Sequence, residues 1–487
     1  MSNLSELLPT GGGQNAVDFV ASGTLSSGQT VALKSDGTVE AVTETPVSQS
    51  LGSSATFESG RAINISAAFD SLNNKVIVAC KDFNNSDYGT AVVGTISGTS
   101  ISFGTPVVFE SAATTTTAAT FDVSQGKVVI AYRDAANSNY GTAIVGTVSG
   151  TSISFGSAVV FQTSYCLDIT AIYDSTNQKI VIAYRNVGSS NQGTAIVGTV
   201  SGTSISFGSS VVFDTNECSY IGATYDSSNN AVVIAYQDST NSSYGTAIVG
   251  SVSGTSISFG TKAVYESADS AYNSPVYDSS SQKVGIFYKD GGNSNYGTYV
   301  VATVSGTSIS FSGANVFVTG TTEYISSVYD SNANKIVIFY RNGSLSNVAY
   351  VISGAISGTS ISFDTATQVS SGTSSSSGHG IAFDSSNNKT MLAYADGNFS
   401  NSGLSKVFQP AYNATNSADF IGITAEAISD TATGAVNVYG GINEAQTGLT
   451  IAADYYVQAD GSLSTTASDV KVGQAISATT INMMDLT

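Results

Sequence analysis

Tyrosine recurs at matching places in this sequence, and its chemistry suits contact with a ligand. Tyr220, Tyr272 and Tyr324 lie 52 residues apart, and Tyr165 lies close to the preceding place in the same series. The members of a second series are Tyr88, Tyr140, Tyr244 and Tyr296. A tyrosine offers an apolar ring and a polar hydroxyl at a small entropic cost. We predict that these eight residues contact a ligand or receptor; the alternative is that their rings pack between repeats.

Catalytic and metal-binding chemistry finds little support. His379 is the single histidine, so neither a serine–histidine–aspartate triad nor a site with several histidines can form in one chain. Its Gly/Ser-rich surroundings, SGTSSSSGHG, predict a solvated loop residue. An enzyme that degrades polysaccharide needs two carboxylates in a cleft, and no pair that breaks the repeat is evident. The Asp/Asn/Ser loops lack the density of a calcium loop. We therefore predict a protein that is not an enzyme and has no cofactor, catalytic residue or metal ligand.

Basic side chains follow the same 52-residue spacing. Five of them share one place in successive repeats, namely Lys81, Arg133, Arg185, Lys289 and Arg341. A sialidase-like site would bring three arginines to one carboxylate, whereas a repeated fold distributes equivalent side chains over its units. We therefore predict that these residues form structural ion pairs between neighbouring repeats.

The composition favours an all-β chain and limits the partners. Gly, Ser, Thr and Asn are abundant and charged residues make up only 10%, a mixture typical of short strands joined by tight turns. Asp and Glu number 35 against 16 Lys and Arg, and the resulting charge of −19 repels phosphate backbones. We predict no nucleic-acid partner and, because no run of 18 apolar residues occurs, no membrane insertion. The N-terminal residues lack the basic and apolar regions of a signal peptide.

The strongest feature is a repeat of 52 residues. The string SGTSISF occurs six times, with its Phe at positions 103, 155, 207, 259, 311 and 363. A second marker, an aromatic residue followed by Asp and a turn, occurs seven times. Each unit predicts four strands: strand a as in ITAIYD, strand b as in KVVIAYRD, strand c as in TAIVGTVSG and strand d as in SISFGSAVVF. The variable connections between strands d and a should lie at one end of the fold with the b–c loops.

One strand lies away from its repeat. The seventh unit lacks its strand d, and a matching segment, VSQSLGSSATFES, stands alone near the N-terminus. If residues 47–58 pair with strand c of the last unit, the repeats close into a ring without free edges. This pattern predicts a seven-bladed β-propeller, whereas an open β-solenoid has no reason to split one unit across both ends.

The flanks of the repeat predict a second, interrupted domain. Pro46 and Pro410 bracket the repeats, and ring closure would bring these two places together. The segments 28–42 and 454–465 both read as strand, Asp-Gly turn, strand. We predict a small split β domain for attachment, formed by residues 1–45 and 411–487, with the propeller at 46–410 inserted between its halves.

The flanks also carry a resemblance to a known group of proteins. The motifs GQTVALKSDG, the Ile428–Val436 run ISDTATGAV and YYVQADGSLSTT resemble a domain of tail-fibre and capsid-decoration proteins of bacteriophages. The resemblance covers about 110 residues and implies attachment to a virus particle, other virion proteins as partners, and a homo-oligomer.

The sequence therefore favours a bacteriophage virion structural protein, a tail fibre, spike or capsid decoration, that displays a β-propeller for adhesion to a host-surface glycan or protein. It would assemble in the host cytoplasm and lie on the virion surface. The alternative is a purely structural subunit that assembles into a tube or filament without binding a receptor. The third hypothesis is an enzyme that acts on host polysaccharide.

Overall fold

The computed structural model describes residues 15–374 and 378–484. The chain divides into two compact units, one formed by Met1–Ser48 with Ala411–Thr487 and the other by Gln49–Pro410, which we call the repeat unit. Within the described residues the regular structure is β-strand, apart from short 3-10 turns at Val187–Ser189, Gly343–Leu345, Gly397–Phe399 and Ser417–Asp419. No helix in these residues has the length and hydropathy needed to cross a membrane.

Strands b and c form an antiparallel hairpin in every repeat. The b strands are Lys75–Asp82, Lys127–Asp134, Lys179–Asn186, Ala231–Asp238, Lys283–Asp290, Lys335–Asn342 and Lys389–Asp396. The c strands are Tyr88–Ser97, Tyr140–Ser149, Gln192–Ser201, Tyr244–Ser253, Tyr296–Ser305, Val348–Ser357 and Ser402–Gln409. Successive apolar residues of strand b, such as Val128, Val129 and Ile130, are all fully buried, because this strand packs on both of its faces.

The predicted strand d is divided in two. Its first part, which we call the rim strand, pairs only with the end of strand c. The rim strands are Ser100–Phe103, Ser152–Phe155, Ser204–Phe207, Ser256–Phe259, Ser308–Phe311 and Ser360–Phe363. The second part continues without a break into strand a of the next repeat. The resulting crossing strands are Ala55–Asp70, Val107–Asp122, Val159–Asp174, Val211–Asp226, Ala263–Asp278 and Asn315–Asp330, and the last repeat has Thr367–Thr373 and Gly380–Asp384 in their place.

The d–a connections, predicted as loops, are therefore strand residues. The first half of Val107–Asp122 pairs with strand c of one repeat, and its second half pairs with strand b of the next. Where the strand changes partner, it donates a backbone N–H to a carbonyl of the preceding b–c loop. These bonds run from Ala62 to Asn401, Thr114 to Asp87, Cys166 to Asn139, Cys218 to Asn191, Ser270 to Ser243, Thr322 to Asn295 and Ser374 to Asn347. The crossings and the b–c loops consequently lie at one end of each sheet.

Glycine after the rim strand allows neighbouring repeats to approach closely. A Cβ atom on Gly104 would lie 1.9 Å from the carbonyl oxygen of Thr151, which belongs to the c–d turn of the next repeat. A Cβ on Gly52 would lie 1.8 Å from the corresponding oxygen of Thr99. The segment around Gly52 therefore packs against the c–d turn at Thr99 in the same way as Gly104 packs against the next c–d turn, at Thr151.

The segment near the N-terminus pairs with the last repeat. Strand Ser50–Leu51 and the beginning of Ala55–Asp70 both pair antiparallel with the last c strand, Ser402–Gln409. Glu58 lies opposite Gly403, just as Glu110 lies opposite Gly89 between two consecutive repeats. These hydrogen bonds join the first and last repeats in the same way as the bonds between consecutive repeats.

In its described residues, 15–48 and 411–484, the unit formed by the flanks contains two five-stranded antiparallel sheets and a two-stranded pair. The first sheet has the order Ala16–Val20, Thr433–Val438, Phe420–Thr424, Thr30–Leu33, Val39–Ala41. The second has the order Ile442–Asn443, Ile481–Asn482, Lys471–Ala475, Asp454–Val457, Leu463–Ser464, and Glu44–Val47 pairs with Tyr412–Thr415. Both predicted Asp-Gly hairpins are present, and Gly37 and Gly461 each have a φ of +84° in their turns.

Candidate ligand-binding cavity

One cavity of the repeat unit is lined by equivalent residues of all seven repeats. Its volume is about 380 Å³, which lies within the range of small-molecule sites. The same position of each crossing strand contributes a side chain, and these residues are Ile65, Thr117, Ile169, Ile221, Asn273, Ile325 and His379. Each repeat contributes one residue at this position to the cavity. Because these residues differ in type, the lining of the cavity is asymmetric.

The residue just before each of these positions has a left-handed backbone. These residues are Asn64, Thr116, Asp168, Tyr220, Tyr272, Tyr324 and Gly378, with φ between +47° at Asp168 and +91° at Gly378. In the six uninterrupted crossing strands, a register shift occurs here as the strand turns to its new partner. For a residue other than glycine this conformation costs about 1–3 kcal/mol, and such strain is typical of functional positions.

Three of these left-handed residues form a continuous aromatic surface, the tyrosine arc, defined as Tyr220, Tyr272 and Tyr324. The ring centroids of Tyr220 and Tyr272 are 4.9 Å apart, and those of Tyr272 and Tyr324 are 4.7 Å apart. All three residues line the cavity. Burial, followed by the hydrogen bond to Tyr324, raises the pKa of Tyr272, so its hydroxyl stays protonated and able to donate.

Charged side chains surround the tyrosine arc. The guanidinium carbon of Arg341 lies 4.7 Å from the ring centroid of Tyr324, and Nζ of Lys289 lies 5.5 Å from that of Tyr272. Beside Tyr220, Nε of Arg185 is 3.0 Å from a carboxylate oxygen of Asp168. Burial raises the pKa of Asp168 and Arg185 opposes this effect. Stacking rings, cations and a carboxylate thus lie together at the tyrosine arc.

The ion pairs differ from the prediction of pairing between repeats. Lys81 binds Asp87, Arg185 binds Asp168 and Arg341 binds Glu323, and each pair lies within one repeat. The reason is geometric, since the end of strand b faces its own crossing strand and its own b–c loop. Arg133 has no carboxylate partner among the described residues; it donates to the hydroxyl of Tyr165 at 2.6 Å.

The structure brings together three of the eight predicted tyrosines. Tyr165 is 38% exposed and lies beneath the guanidinium of Arg133 at 4.9 Å, outside the cavity lining. The remaining four begin c strands, are half-buried and do not line the cavity, namely Tyr88, Tyr140, Tyr244 and Tyr296. A role in ligand contact remains a prediction for all eight residues.

His379 is buried, so the prediction of a solvated loop residue is wrong. Its ring stacks on Phe339 with centroids 4.3 Å apart, and only 5% of the residue is exposed. Nδ1 donates to the carbonyl oxygen of Tyr324 at 3.1 Å, and Nε2 accepts from Ser374 Oγ at 2.8 Å. Burial lowers the pKa of His379 to about 3, so the ring is neutral at physiological pH. It supports the tyrosine arc through the backbone of Tyr324.

Two further cavities lie toward the a–b turns. Their lining residues vary less from repeat to repeat than those of the cavity at the tyrosine arc. The aromatic residue of each aromatic-Asp marker contributes to their lining; these are Phe69, Phe121, Tyr173, Tyr225, Tyr277, Tyr329 and Phe383. The hydroxyls of Tyr225 and Tyr329 are already bound by neighbouring turn residues. Because these positions repeat an aromatic ring instead of varying in chemistry, the cavity with the tyrosine arc is the stronger candidate site.

A carboxylate pair at the places of Asp214 and Asp238 recurs in four repeats, and in one of them a lysine joins it. Asp214 and Asp238 share Nζ of Lys262 at 2.7 and 2.9 Å, and Tyr236 donates to Asp214 at 2.7 Å. Burial raises the pKa of Asp238, but hydrogen bonds from Lys262 and Asn216 outweigh it and keep this pKa below its usual value. Both carboxylates are buried and neither lines one of the cavities described above. Within the described residues, no cluster of His, Cys, Asp and Glu could hold a metal ion.

Asp168 and Asn273, which line the cavity, were missed as site residues, and Arg185 was assigned to a structural ion pair. A signal was available, because Asp168 lies 52 residues before Tyr220 and Asn273 replaces an isoleucine at a repeated position. The direction of these side chains could not be read from the sequence, since it depends on the left-handed residue in each crossing strand.

The chain is similar to several solved structures. The BP39L lectin from Burkholderia pseudomallei matches with a TM-score of 0.54 at 9% identity, over 70% of this chain and 94% of that one. The β-propeller domain of Myceliophteria thermophila Cps50 (Swd1) has a TM-score of 0.49 at 9% identity, over 74% and 99%. The SapL1 lectin, solved with alpha methyl fucoside, has a TM-score of 0.38 at 14% identity, over 62% and 96%. No family model and no curated protein matches the sequence. The prediction of an all-β, β-propeller fold is confirmed.

Proposed function

We propose that the repeat unit is a closed, seven-bladed β-propeller that binds a carbohydrate in the cavity at the tyrosine arc. The pairing of the last c strand with residues 50–61 supports closure, because it supplies the seventh repeat with the outer strand that it lacks. The observation that carries the binding proposal is the arc itself, three adjacent rings held in strained backbone positions around one cavity.

The chemistry of the cavity suits a sugar. Aromatic rings pack against the apolar C–H faces of a sugar, while a few polar groups fix the orientation of its hydroxyls. Tyr220 and Tyr272 supply such rings, and Asp168 and Arg185 supply a charged acceptor and donor beside them. The similar BP39L protein is a lectin, which supports a carbohydrate as the ligand class.

The positions of the carboxylates in the repeat unit favour binding over catalysis. Glycoside hydrolysis needs two carboxyl groups on either side of a bound glycosidic bond. Among the described residues, Asp168 is the one carboxylate that lines the cavity, and the pair formed by Asp214 and Asp238 is enclosed by Lys262 and Tyr236. We therefore propose a lectin-like protein and not a polysaccharide-degrading enzyme.

Substitution of Tyr272 tests the binding site. A glycan array first identifies a ligand of the full chain, and Tyr272→Ala should then weaken its binding at least tenfold, because central aromatic residues dominate the energy of such contacts. The matched control is Tyr329→Ala, which removes a ring from the cavities near the a–b turns and should leave binding unchanged. Isothermal titration calorimetry measures both variants. Equal binding by wild type and Tyr272→Ala would contradict the proposal.

We further propose that the protein is displayed on a bacteriophage particle as a fibre, spike or decoration, where the propeller contacts a host-surface glycan. The resemblance of the flanking motifs to phage attachment domains supports this role. It implies other virion proteins and further copies of the chain as partners, and a location on the virion surface. Immunogold labelling of purified particles should place the protein on them, and particles without label would overturn this part of the proposal.

A second candidate function, self-assembly without a receptor, is favoured by one observation. Equivalent valines in five successive crossing strands are 37–45% exposed, namely Val108, Val160, Val212, Val264 and Val316. Repeated exposed apolar residues are suited to contacts between copies. Sedimentation of the full chain distinguishes the two functions, because a structural subunit should form tubes or filaments and bind no glycan on the array.

A further inference from the structure

Lys289 and Arg133 differ from the other three cations that share their place in the repeat, and Lys289 is the one of the two that borders the tyrosine arc. Lys81, Arg185 and Arg341 each have a carboxylate partner, whereas within the described residues no carboxylate lies at ion-pair distance from Nζ of Lys289. Its side chain is half-buried, and the ring of Tyr272 is its near neighbour at 5.5 Å. The tyrosine arc is thus bordered by one cation whose charge the protein leaves uncompensated.

A half-buried ammonium group without an anion favours an anionic ligand. Its attraction to a ring contributes about 0.5–2 kcal/mol, which replaces only part of the hydration that burial removes. A carboxylate or sulfate at this place would gain a charge-assisted hydrogen bond in a partly dry environment. Arg341 lies over the adjacent ring of Tyr324, and its guanidinium is already paired with Glu323.

We propose that the ligand at the tyrosine arc contains an acidic sugar residue and that Lys289 binds its anionic group, a carboxylate or a sulfate. This inference rests on the proposed carbohydrate function and names the class of sugar. The net charge of −19 repels a polyanion at long range, so the acidic residue belongs to an otherwise neutral glycan. Lys289 is then the residue that determines specificity for the charge.

Matched ligands and matched lysine variants test this inference. The probes are lactose, which is neutral, and 3′-sialyllactose and 3′-sulfolactose, which add a carboxylate or a sulfate to the same core. Titration calorimetry of the full chain should show at least tenfold tighter binding of one or both acidic probes than of lactose. Lys289→Met should reduce that preference to less than twofold, Lys289→Arg should restore most of it, and Lys81→Met, at the same place in another repeat, should leave it intact.

The outcomes separate this inference from the proposal on which it rests. Equal binding of acidic and neutral probes, or a preference that survives Lys289→Met, overturns the role of Lys289. If a neutral glycan binds in a manner that depends on Tyr272 and no acidic glycan binds better, the inference fails and the proposed function stands. If no glycan on the array binds, acidic or neutral, both fail. The preferred acidic probe identifies the anionic group as carboxylate or sulfate.

Discussion

Burial fixes the charge of the single histidine and links the stability of the repeat unit to pH. His379 lies between the ring of Phe339 and the backbone of Tyr324, where a proton on the ring would lose its hydration. The unfolded chain binds that proton near pH 6.5, whereas the folded chain binds it only near pH 3. The stability due to this group is therefore complete above pH 6.5 and is lost as the pH falls from 6.5 to 3.

His379→Gln should make unfolding less sensitive to acid. The glutamine keeps polar contacts but cannot be protonated, so the free energy of unfolding should fall less between pH 6 and 4 than in the wild type. The difference should be about 1 kcal/mol per pH unit, as expected for one proton per molecule. Urea denaturation at several pH values measures it. Parallel pH profiles for the two proteins would show that His379 does not carry this dependence.

At the scale of the secondary-structure element, the glycines that directly follow the rim strands, such as Gly104 and Gly156, set the spacing of neighbouring repeats. We call them the rim glycines. A Cβ atom on Gly156 would lie 1.9 Å from the carbonyl oxygen of Thr203, a distance that no real contact reaches. Because that oxygen belongs to the backbone of the next repeat, relief requires movement of a whole turn and not of one side chain.

Gly156→Ala should therefore destabilise the protein by about 1–3 kcal/mol, the usual cost of overpacking. Gly313→Ala is the control, because a Cβ at Gly313 has no atom within 4 Å and this glycine lies two residues after a rim strand. Its effect should be neutral or slightly stabilising, since alanine restricts the unfolded chain. Thermal unfolding followed by circular dichroism compares the two, and equal melting temperatures would refute this account of the rim glycines.

The crossing strands show where sequence reasoning succeeds and where it stops. Periodic apolar residues and turn residues were sufficient to predict strands b and c, because each is determined by a pattern within ten residues or so. The variable segments between strands d and a resemble loops, yet they are strands with a left-handed residue such as Tyr220 or Thr116. Their hydrogen bonds go to b–c loops of another hairpin, and no local pattern records such a partner.

The same limit applies to the candidate site. The 52-residue spacing was enough to predict that Tyr220, Tyr272 and Tyr324 are equivalent, and the structure places them side by side. The burial of His379 could not be predicted, because Phe339 and Tyr324, the residues that enclose it, lie at least 40 positions away in the sequence. The uncompensated charge of Lys289 could not be predicted either, because the distance from Lys289 to each carboxylate is set by the three-dimensional packing.

At the scale of the whole molecule, the pairing of residue 55 with residue 405 joins the first and last repeats. Cysteines that directly face each other across antiparallel strands can form a disulfide. Ala55→Cys with Ser405→Cys should therefore cross-link within one chain under mild oxidation, and the long enclosed loop should raise stability by about 5 kcal/mol. The three native cysteines are buried, so they should not interfere.

Mass spectrometry of the oxidised double variant identifies the cross-link, and Ala55→Cys alone is the control. A double variant that remains reduced, or that links only separate molecules, would contradict a closed ring. The same result would leave the seventh repeat without its outer strand.

The contrast between near-identical outer strands and dissimilar cavity residues has a genetic consequence. Six identical copies of SGTSISF can be encoded by matching DNA, and homologous recombination at such sites would exchange one 52-residue unit for another. Each exchange would replace one left-handed residue, for example Thr116 by Tyr272, while the surrounding scaffold stays the same. A lineage carrying this gene could thus acquire new binding preferences by reshuffling segments it already possesses, without waiting for point mutations.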